Sequence, residues 1–343
     1  MAKTGYIITV YQDINPSSPT YNYRREEKTK DETNCPVTPP TPDPIDYSSQ
    51  YLIIEAIEDG TFTFTGTSSN SLSYSLDDGQ TWTALASGTA SPTVTAGNKI
   101  MWKGITTPNR YGIGKFSSTG RFNTYGNIMS IVYGDNFEGQ TVIGNFQFYS
   151  LFDNSKVVSA KNLVLPATTL AQECYLQMFQ GCTNLTSAPE LPATTLAQEC
   201  YAEMFIDCTS LVNAPALPST TLAEACYVSM FYGCTNLTSA PALPSTTLAD
   251  YCYDSMFSRC SSLVTAPQLP ATTLREGCYQ DMFNGCTNLN NIKCLATDIT
   301  ASYCTPNWVD GVAASGTFTK ASSMTDWTTG TSGIPNGWSV INE

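Results

Sequence analysis

Eleven cysteines fall on two ladders with a period of 26 residues. The first ladder is Cys174, Cys200, Cys226, Cys252, Cys278 and Cys304; the second is Cys182, Cys208, Cys234, Cys260 and Cys286. The residues around them repeat as well. One unit reads Leu191-Pro192-Ala193-Thr194-Thr195-Leu196-Ala197-Gln198-Glu199-Cys200-Tyr201-Ala202-Glu203-Met204-Phe205-Ile206-Asp207-Cys208-Thr209-Ser210-Leu211, and five complete copies stand in register. A unit of this size cannot bury its apolar face alone. Contiguous neighbours must bury it, so the copies have to stack.

Each unit has two halves. Leu185-Thr186-Ser187-Ala188 and its equivalents are short and β-compatible, and Pro189 and Pro192 stop them extending. At 100° per residue, Cys200, Met204 and Cys208 lie within about 80° of one another, one apolar face of one or two helical turns. The ends of the array are degenerate, as caps require. Leu151-Phe152, Val157-Val158 and Leu165-Pro166 follow the pattern without cysteine, and after Cys304 the residues Trp308, Val309 and Val312 stand where Met, Phe and Cys stood.

The other segments differ in kind. Residues 1–46 read as an extended arm. A strand-like run, Tyr6-Ile7-Ile8-Thr9-Val10-Tyr11, precedes a charged run that starts at Arg24-Arg25, and a proline-rich spacer follows Cys35. Such an arm is a disordered tail or an anchoring peptide that orders on a partner; Tyr6, Ile8, Val10, Arg24 and Arg25 are its candidate anchors. Residues 47–120 read as a small antiparallel β-domain, with strand-like runs at 51–56, 61–64, 72–75 and 99–102 between Asp-Gly and Gly-Asn turns. Residues 121–312 form the repeat region with its degenerate ends, and 313–343 a closing β-hairpin from the runs 316–319 and 338–341.

The repeat resembles the BspA-type leucine-rich repeats, whose core is Ile-Gly-x-x-Ala-Phe-x-x-Cys-x-x-Leu. Cys200-Tyr201 takes the Ile-Gly place, Met204-Phe205 the Ala-Phe place, and Cys208 and Leu211 the last two. The period lies within the range of roughly 20–29 residues for leucine-rich repeats, although 26 is longer than the usual unit of this type and the first cysteine ladder is extra. The resemblance covers about residues 150–312. It implies an α+β solenoid, preceded by the β-domain and the arm. It also implies a role in adhesion, since members serve as bacterial surface adhesins and binding proteins. Similar cysteine-rich copies occur in gut Bacteroidales and in their phages, including crAss-like ones.

The cysteines read as core residues. Eight positions span roughly 12 Å along a helix, beyond the Cα separation a disulfide tolerates. Bridges between adjacent copies could only pair a ladder off in twos, and free cysteine behaves as a small buried hydrophobe. Cys35 is the one candidate for a reactive or partner-linked thiol. Ser75-x-Asp77-x-Gly79-x-Thr81-Trp82 matches the Asp box that recurs in sialidases, where it is a structural hairpin turn; a single box implies a hairpin, not a glycosidase. The acidic positions Glu173, Glu199, Glu224, Asp250 and Glu276 read as a solvated face. The tyrosines at 175, 201, 227, 253 and 279 read as packing between copies or as an aromatic platform.

Composition narrows the function. The chain has no histidine, which removes Ser-His-Asp and Cys-His catalysis and His-containing zinc sites. Its net charge of -13 repels phosphate backbones, so nucleic acid is not an expected partner. No apolar run is long enough to insert into a membrane, and no secretory signal is visible at the start. No catalytic, cofactor or metal site is expected. What varies between copies is the pair after each Cys-Tyr and the pair before the second cysteine. Those pairs should face solvent, and Tyr232, Arg259, Gln180, Ile206, Asp254 and Gln280 are the candidate binding surface, led by Tyr232 and Arg259 because Tyr and Arg are favoured anchor types.

Two functions meet these expectations. The first is a non-enzymatic phage virion protein, a tail- or head-associated fibre held to other virion proteins by its arm and binding a bacterial surface protein or glycan through its repeats. The second is a bacterial cell-surface or secreted adhesin for host protein or glycan.

Overall fold

The computed structural model describes residues 6–12, 24–30, 45–67 and 70–343. The chain divides into two compact units, Met1–Ile45 and Asp46–Glu343.

The first unit holds a hairpin. Strand β1 (Tyr6–Gln12) pairs antiparallel with β2 (Arg24–Lys30), from Tyr6 opposite Lys30 to Gln12 opposite Arg24. The strand-like run of the sequence is β1. The charged run that follows supplies its partner, β2. The proline-rich spacer and Cys35 lie outside the described residues.

The second unit opens with β3 (Leu52–Ala56), β4 (Phe62–Gly66), β5 (Leu72–Ser75), β6 (Thr83–Leu85), β7 (Lys99–Lys103), β8 (Gly114–Ser118) and β9 (Phe122–Asn127). The runs expected at 51–56, 61–64, 72–75 and 99–102 are β3, β4, β5 and β7. Strands β9, β3, β7, β5 and β6 make an antiparallel sheet in that order, and β4 pairs separately with β8. The sheet runs past residue 120. A further strand, β10 (Val157–Val164), joins it alongside β9 in parallel, where the repeats begin. Trp102, Phe116 and Phe122 are fully buried, and the Phe116 ring stacks on Phe152 of the first repeat at 5.5 Å. One hydrophobic core therefore continues from the β-domain into the repeats.

The remainder is strand-rich and repetitive, with open sheets. Its one α-helix among the described residues, Ser130–Tyr133, precedes the repeats. The helix expected over residues 200–208 does not form. Alternate N–H groups there bond the next copy: Tyr201 to the Cys226 carbonyl (3.1 Å), Glu203 to Val228 (2.8 Å), Phe205 to Met230 (2.9 Å) and Asp207 to Tyr232 (2.8 Å). The N–H groups between them close turns three residues back: Ala202 to Glu199 (3.2 Å), Ile206 to Glu203 (3.2 Å) and Cys208 to Phe205 (3.1 Å). An α-helix would use all these donors within the segment, four residues back; here half of them join neighbouring copies. The segment is a ribbon of consecutive β-turns.

A positive φ recurs every fourth residue, at Glu199 (53°), Glu203 (57°) and Asp207 (55°), a left-handed conformation that non-glycine residues seldom adopt. The same triplet appears at 146/150/154, 173/177/181, 225/229/233, 251/255/259, 277/281/285 and 303/307/311, so the stack has seven rungs. The first has no cysteine. Phe148, Phe152 and Ser155 continue its Tyr, Phe and Cys columns.

Period four sends side chains inward and outward in twos. Cys200-Tyr201 and Met204-Phe205 point in, and Cys208 begins the next inward pair; all are at most 1% exposed. The Phe column from Phe152 to Phe283 stacks at 5.4–5.8 Å with rings within 9° of parallel. The Tyr column stacks at 5.5–6.3 Å. Its rings are packing and not a platform. The other half of each rung makes isolated parallel bridges, Ser159 to Ser187, Asn213 to Ser239 and Thr265 to Asn291.

Both ends are closed. Phe116 of β8 donates its N–H to the Leu151 carbonyl of the first rung (2.7 Å). At the far end Trp308 stacks on Tyr279 at 6.1 Å and on Trp327 at 5.4 Å, and its Nε1 donates to the Gly333 carbonyl. Strands β11 (Asn291–Cys294), β12 (Thr317–Lys320) and β13 (Ser339–Asn342) form a parallel sheet. The expected closing hairpin is thus corrected. Its two strands exist, but β12 and β13 run in the same direction, because each strand sits one rung beyond its predecessor after a full circuit of chain.

Two substitutions separate these contributions. Phe231→Ala opens the middle of the Phe column and should lower the unfolding free energy by about 3–5 kcal/mol. The Tyr201 hydroxyl is buried without a hydrogen-bond partner among the described residues. Tyr201→Phe should therefore be neutral or stabilising, by up to about 1–3 kcal/mol. Chemical denaturation measures both.

Candidate functional site

Outward pairs on neighbouring rungs align into columns. Gln180, Ile206 and Tyr232 occupy one column, on three successive rungs, and all are half-buried. Asp254 and Gln280 are half-buried in a second column, and Arg259 is exposed in a third. The structure brings Tyr232 and Arg259 together. The guanidinium lies over the ring, 5.2 Å from its centroid, an arrangement that favours a cation on an aromatic face. Gln180 is two rungs from Tyr232. Burial, with Asp281 adding repulsion, raises Asp254 above the ordinary carboxylate range, although the Ser255 hydroxyl donates to it at 2.8 Å.

Sequence comparison between copies put Asp207 in a variable pair without singling it out. Its carboxylate lies over Gly233 of the next rung, where an added Cβ would collide with it, and the amide of Asn154 lies over Gly181 in the same way. The signal is present in the sequence as an alternation of Asn154, Gly181, Asp207 and Gly233, in which each longer side chain occupies space the next glycine leaves. The patch therefore presents the Asp207 carboxylate, the Tyr232 ring and the Arg259 guanidinium on three successive rungs, with Ile206 beside them. Opposite charges flank an aromatic surface.

The acidic positions shift by one residue in register. Glu173 and Glu199 hold the positive-φ position, whereas Glu224, Asp250 and Glu276 precede it. Burial, and then the carboxylates of Glu173, Glu224 and Glu203, push Glu199 up. Further along, Asp250 pairs with Arg275 at 3.1 Å and Glu276 accepts from the Tyr251 hydroxyl at 2.8 Å. No group of three or more metal-ligating side chains occurs among the described residues, and no described helix is long and apolar enough to cross a membrane.

The Asp-box hairpin joins β5 to β6. Asp77 Oδ1 accepts from the Thr81 N–H at 2.9 Å and from the Ser75 hydroxyl at 2.7 Å, and Oδ2 accepts from the Thr81 hydroxyl at 2.6 Å. These bonds, Thr81 foremost, hold the Asp77 carboxyl down at about 2. Gly79 takes a φ of 84°, and Trp82 Nε1 donates to its carbonyl. Every polar member of the motif is spent on the turn. The Trp82 ring carries the Lys103 ammonium 4.2 Å from its centroid, and that ammonium is bonded to Asp135 at 2.7 Å.

The twelve described cysteines are free and buried. In the second ladder the thiols do more than fill space. Cys208, Cys234, Cys260 and Cys286 donate to the carbonyls of Phe179, Phe205, Phe231 and Phe257 at 2.9–3.1 Å. Each of these carbonyls also accepts the N–H of the cysteine in its own rung. A small apolar side chain with one weak donor suits the position, and cysteine is that residue.

Comparison with protein-family models, with curated proteins and with solved structures found no match.

Burial pushes the thiols of Cys200, Cys252 and Cys286 up to about 12, while unfolded thiols ionise at about 8.5. Above the lower value the unfolded chain binds fewer protons than the fold, so stability falls as pH rises. The denaturation midpoint should be flat up to about pH 8 and fall steeply above about pH 9. A midpoint unchanged into strongly alkaline solution would contradict the buried, protonated ladders. Native protein should likewise titrate few thiols, and denatured protein all thirteen.

Proposed function

We propose that this chain is a non-enzymatic display protein, a leucine-rich-repeat solenoid of the BspA type in a phage virion, associated with tail or head. In this reading its arm joins other virion proteins, and its rungs contact a bacterial surface protein or glycan. The observation that carries the reading is the division of labour within each rung. The inward pairs are nearly constant, whereas the outward pairs change from copy to copy and assemble Asp207, Tyr232 and Arg259 into one mixed-charge aromatic patch. Tyr and Arg are enriched among residues that dominate binding energy. The chemistry of the chain supports a binding role over a catalytic one: it has no histidine, and burial keeps its repeat thiols protonated and therefore poor nucleophiles.

The patch is tested by the double variant Tyr232→Ala and Arg259→Ala. Loss of one strong anchor costs about 2 kcal/mol, so adsorption to host cells should weaken by about thirtyfold. A folded double variant that adsorbs like the parent removes this surface. The location is tested by antibody labelling of purified particles against fractionated host cells. Label on the bacterial envelope alone would support the adhesin reading instead.

The arm is tested separately. A chain lacking residues 1–45, the whole first unit, should fold but no longer join particles. Normal incorporation of the truncated chain overturns the anchoring role of Tyr6, Ile8, Val10, Arg24 and Arg25.

A further inference from the structure

The two strands of the first unit are chemically unequal. Strand β1, Tyr6-Ile7-Ile8-Thr9-Val10-Tyr11-Gln12, has no charge along its seven residues and places β-branched or aromatic residues on both of its faces. Strand β2, Arg24-Arg25-Glu26-Glu27-Lys28-Thr29-Lys30, is charged at six of its seven positions. In the register observed, each apolar position of β1 except Ile7 faces a charged residue of β2 across one edge. The other edge of β1 has no described partner strand. An isolated two-stranded hairpin is marginal in water. A strand apolar on both faces belongs in the interior of a sheet, whereas a charged strand is a protected edge that resists further pairing.

We propose that the edge of β1 opposite β2 pairs with β1 of a second copy of this chain, antiparallel about a two-fold axis, to make a four-stranded sheet in the order β2, β1, β1, β2. The sequence of β1 is nearly its own reverse in residue class. With the axis between Ile8 and Thr9, Tyr6 stands opposite the second copy's Tyr11, Ile7 opposite Val10 and Ile8 opposite Thr9. Every pair is aromatic with aromatic or β-branched with β-branched, the combinations that stabilise neighbouring strands. No like charges meet at the axis, although each chain carries a net charge of -13. Both outer edges are the charged β2, so the assembly closes at two copies as an isologous interface. The pairing is independent of what the displayed rungs bind, and its failure would leave that reading standing.

Sedimentation of the isolated full-length chain tests it. The parent should run at twice its 37.1 kDa chain mass. The variant Ile8→Lys with Val10→Lys puts charge at the axis and should run as the monomer. Thr29→Lys, on the outer strand, should stay dimeric. Near-ultraviolet circular dichroism, which reports the aromatic columns of the second unit, should be the same for all three. A monomeric parent at micromolar concentration overturns the proposal, as does a dimer that survives Ile8→Lys with Val10→Lys. Loss of the dimer in Thr29→Lys would place the interface on β2 and overturn it equally.

Discussion

The backbone hydrogen bond from one rung to the next is the interaction on which the rest of the second unit depends. A helix satisfies its own donors and can meet its neighbours only through side chains. The turn ribbon gives every second N–H to the following rung, so rung spacing is set by hydrogen-bond length before any side chain is chosen. Rings in equivalent positions must then stack face to face, at 5.4–5.8 Å in the Phe column. The positive φ at each fourth residue is the local consequence. Most of these positions are not glycine, and each strained residue costs of order 1–3 kcal/mol, offset because the ribbon joins to both neighbours there.

The same constraint explains the second cysteine ladder. Each Phe carbonyl already accepts one N–H within its rung and has a second lone pair facing the next. A valine would leave that site empty, and a serine would bring a strongly hydrated hydroxyl into an apolar column. A thiol fills the volume and supplies a weak donor. Ser155 takes the place only in the first rung, where the ladder ends and its hydroxyl lies 3.5 Å from Cys182 Sγ.

How far this was legible from the sequence depends on the element. The period, the inward columns and the stack were visible in the cysteine spacing, because burial repeats whatever the backbone does. The ribbon was not. Over nine residues, Cys200, Met204 and Cys208 fit a period of four as well as one of 3.6, and only the hydrogen bonds tell them apart. The variable pairs are less exposed than expected: Ala202 is buried, Glu203 and Ile206 are half-buried, and of these four only Asp207 is exposed. Tyr232 and Arg259 emerged from variation between copies, but their contact spans two rungs and two columns and has no sequence spacing of its own. Strand β2 was hidden by its charges, and the parallel order of β12 and β13 by the resemblance of two short runs to a hairpin.

Direction is the last consequence of the rung-to-rung bond. Within the ribbon the bonding N–H groups all point toward the C-terminal rung and the accepting carbonyls toward the N-terminal one. The two ends of the stack are therefore chemically different, and one kind of cap cannot serve both. The N-terminal end exposes carbonyls and needs donors. Strand β8 supplies one, the Phe116 N–H to Leu151, while β9 extends the strand side of the same rung through β10. The C-terminal end exposes N–H groups and needs acceptors. The Thr331 carbonyl takes the Val309 N–H at 3.1 Å, and the Ser332 hydroxyl takes that of Asn307, also at 3.1 Å. A folded β-domain at one end and a short loop with a tryptophan at the other follow from the direction in which the backbone bonds run.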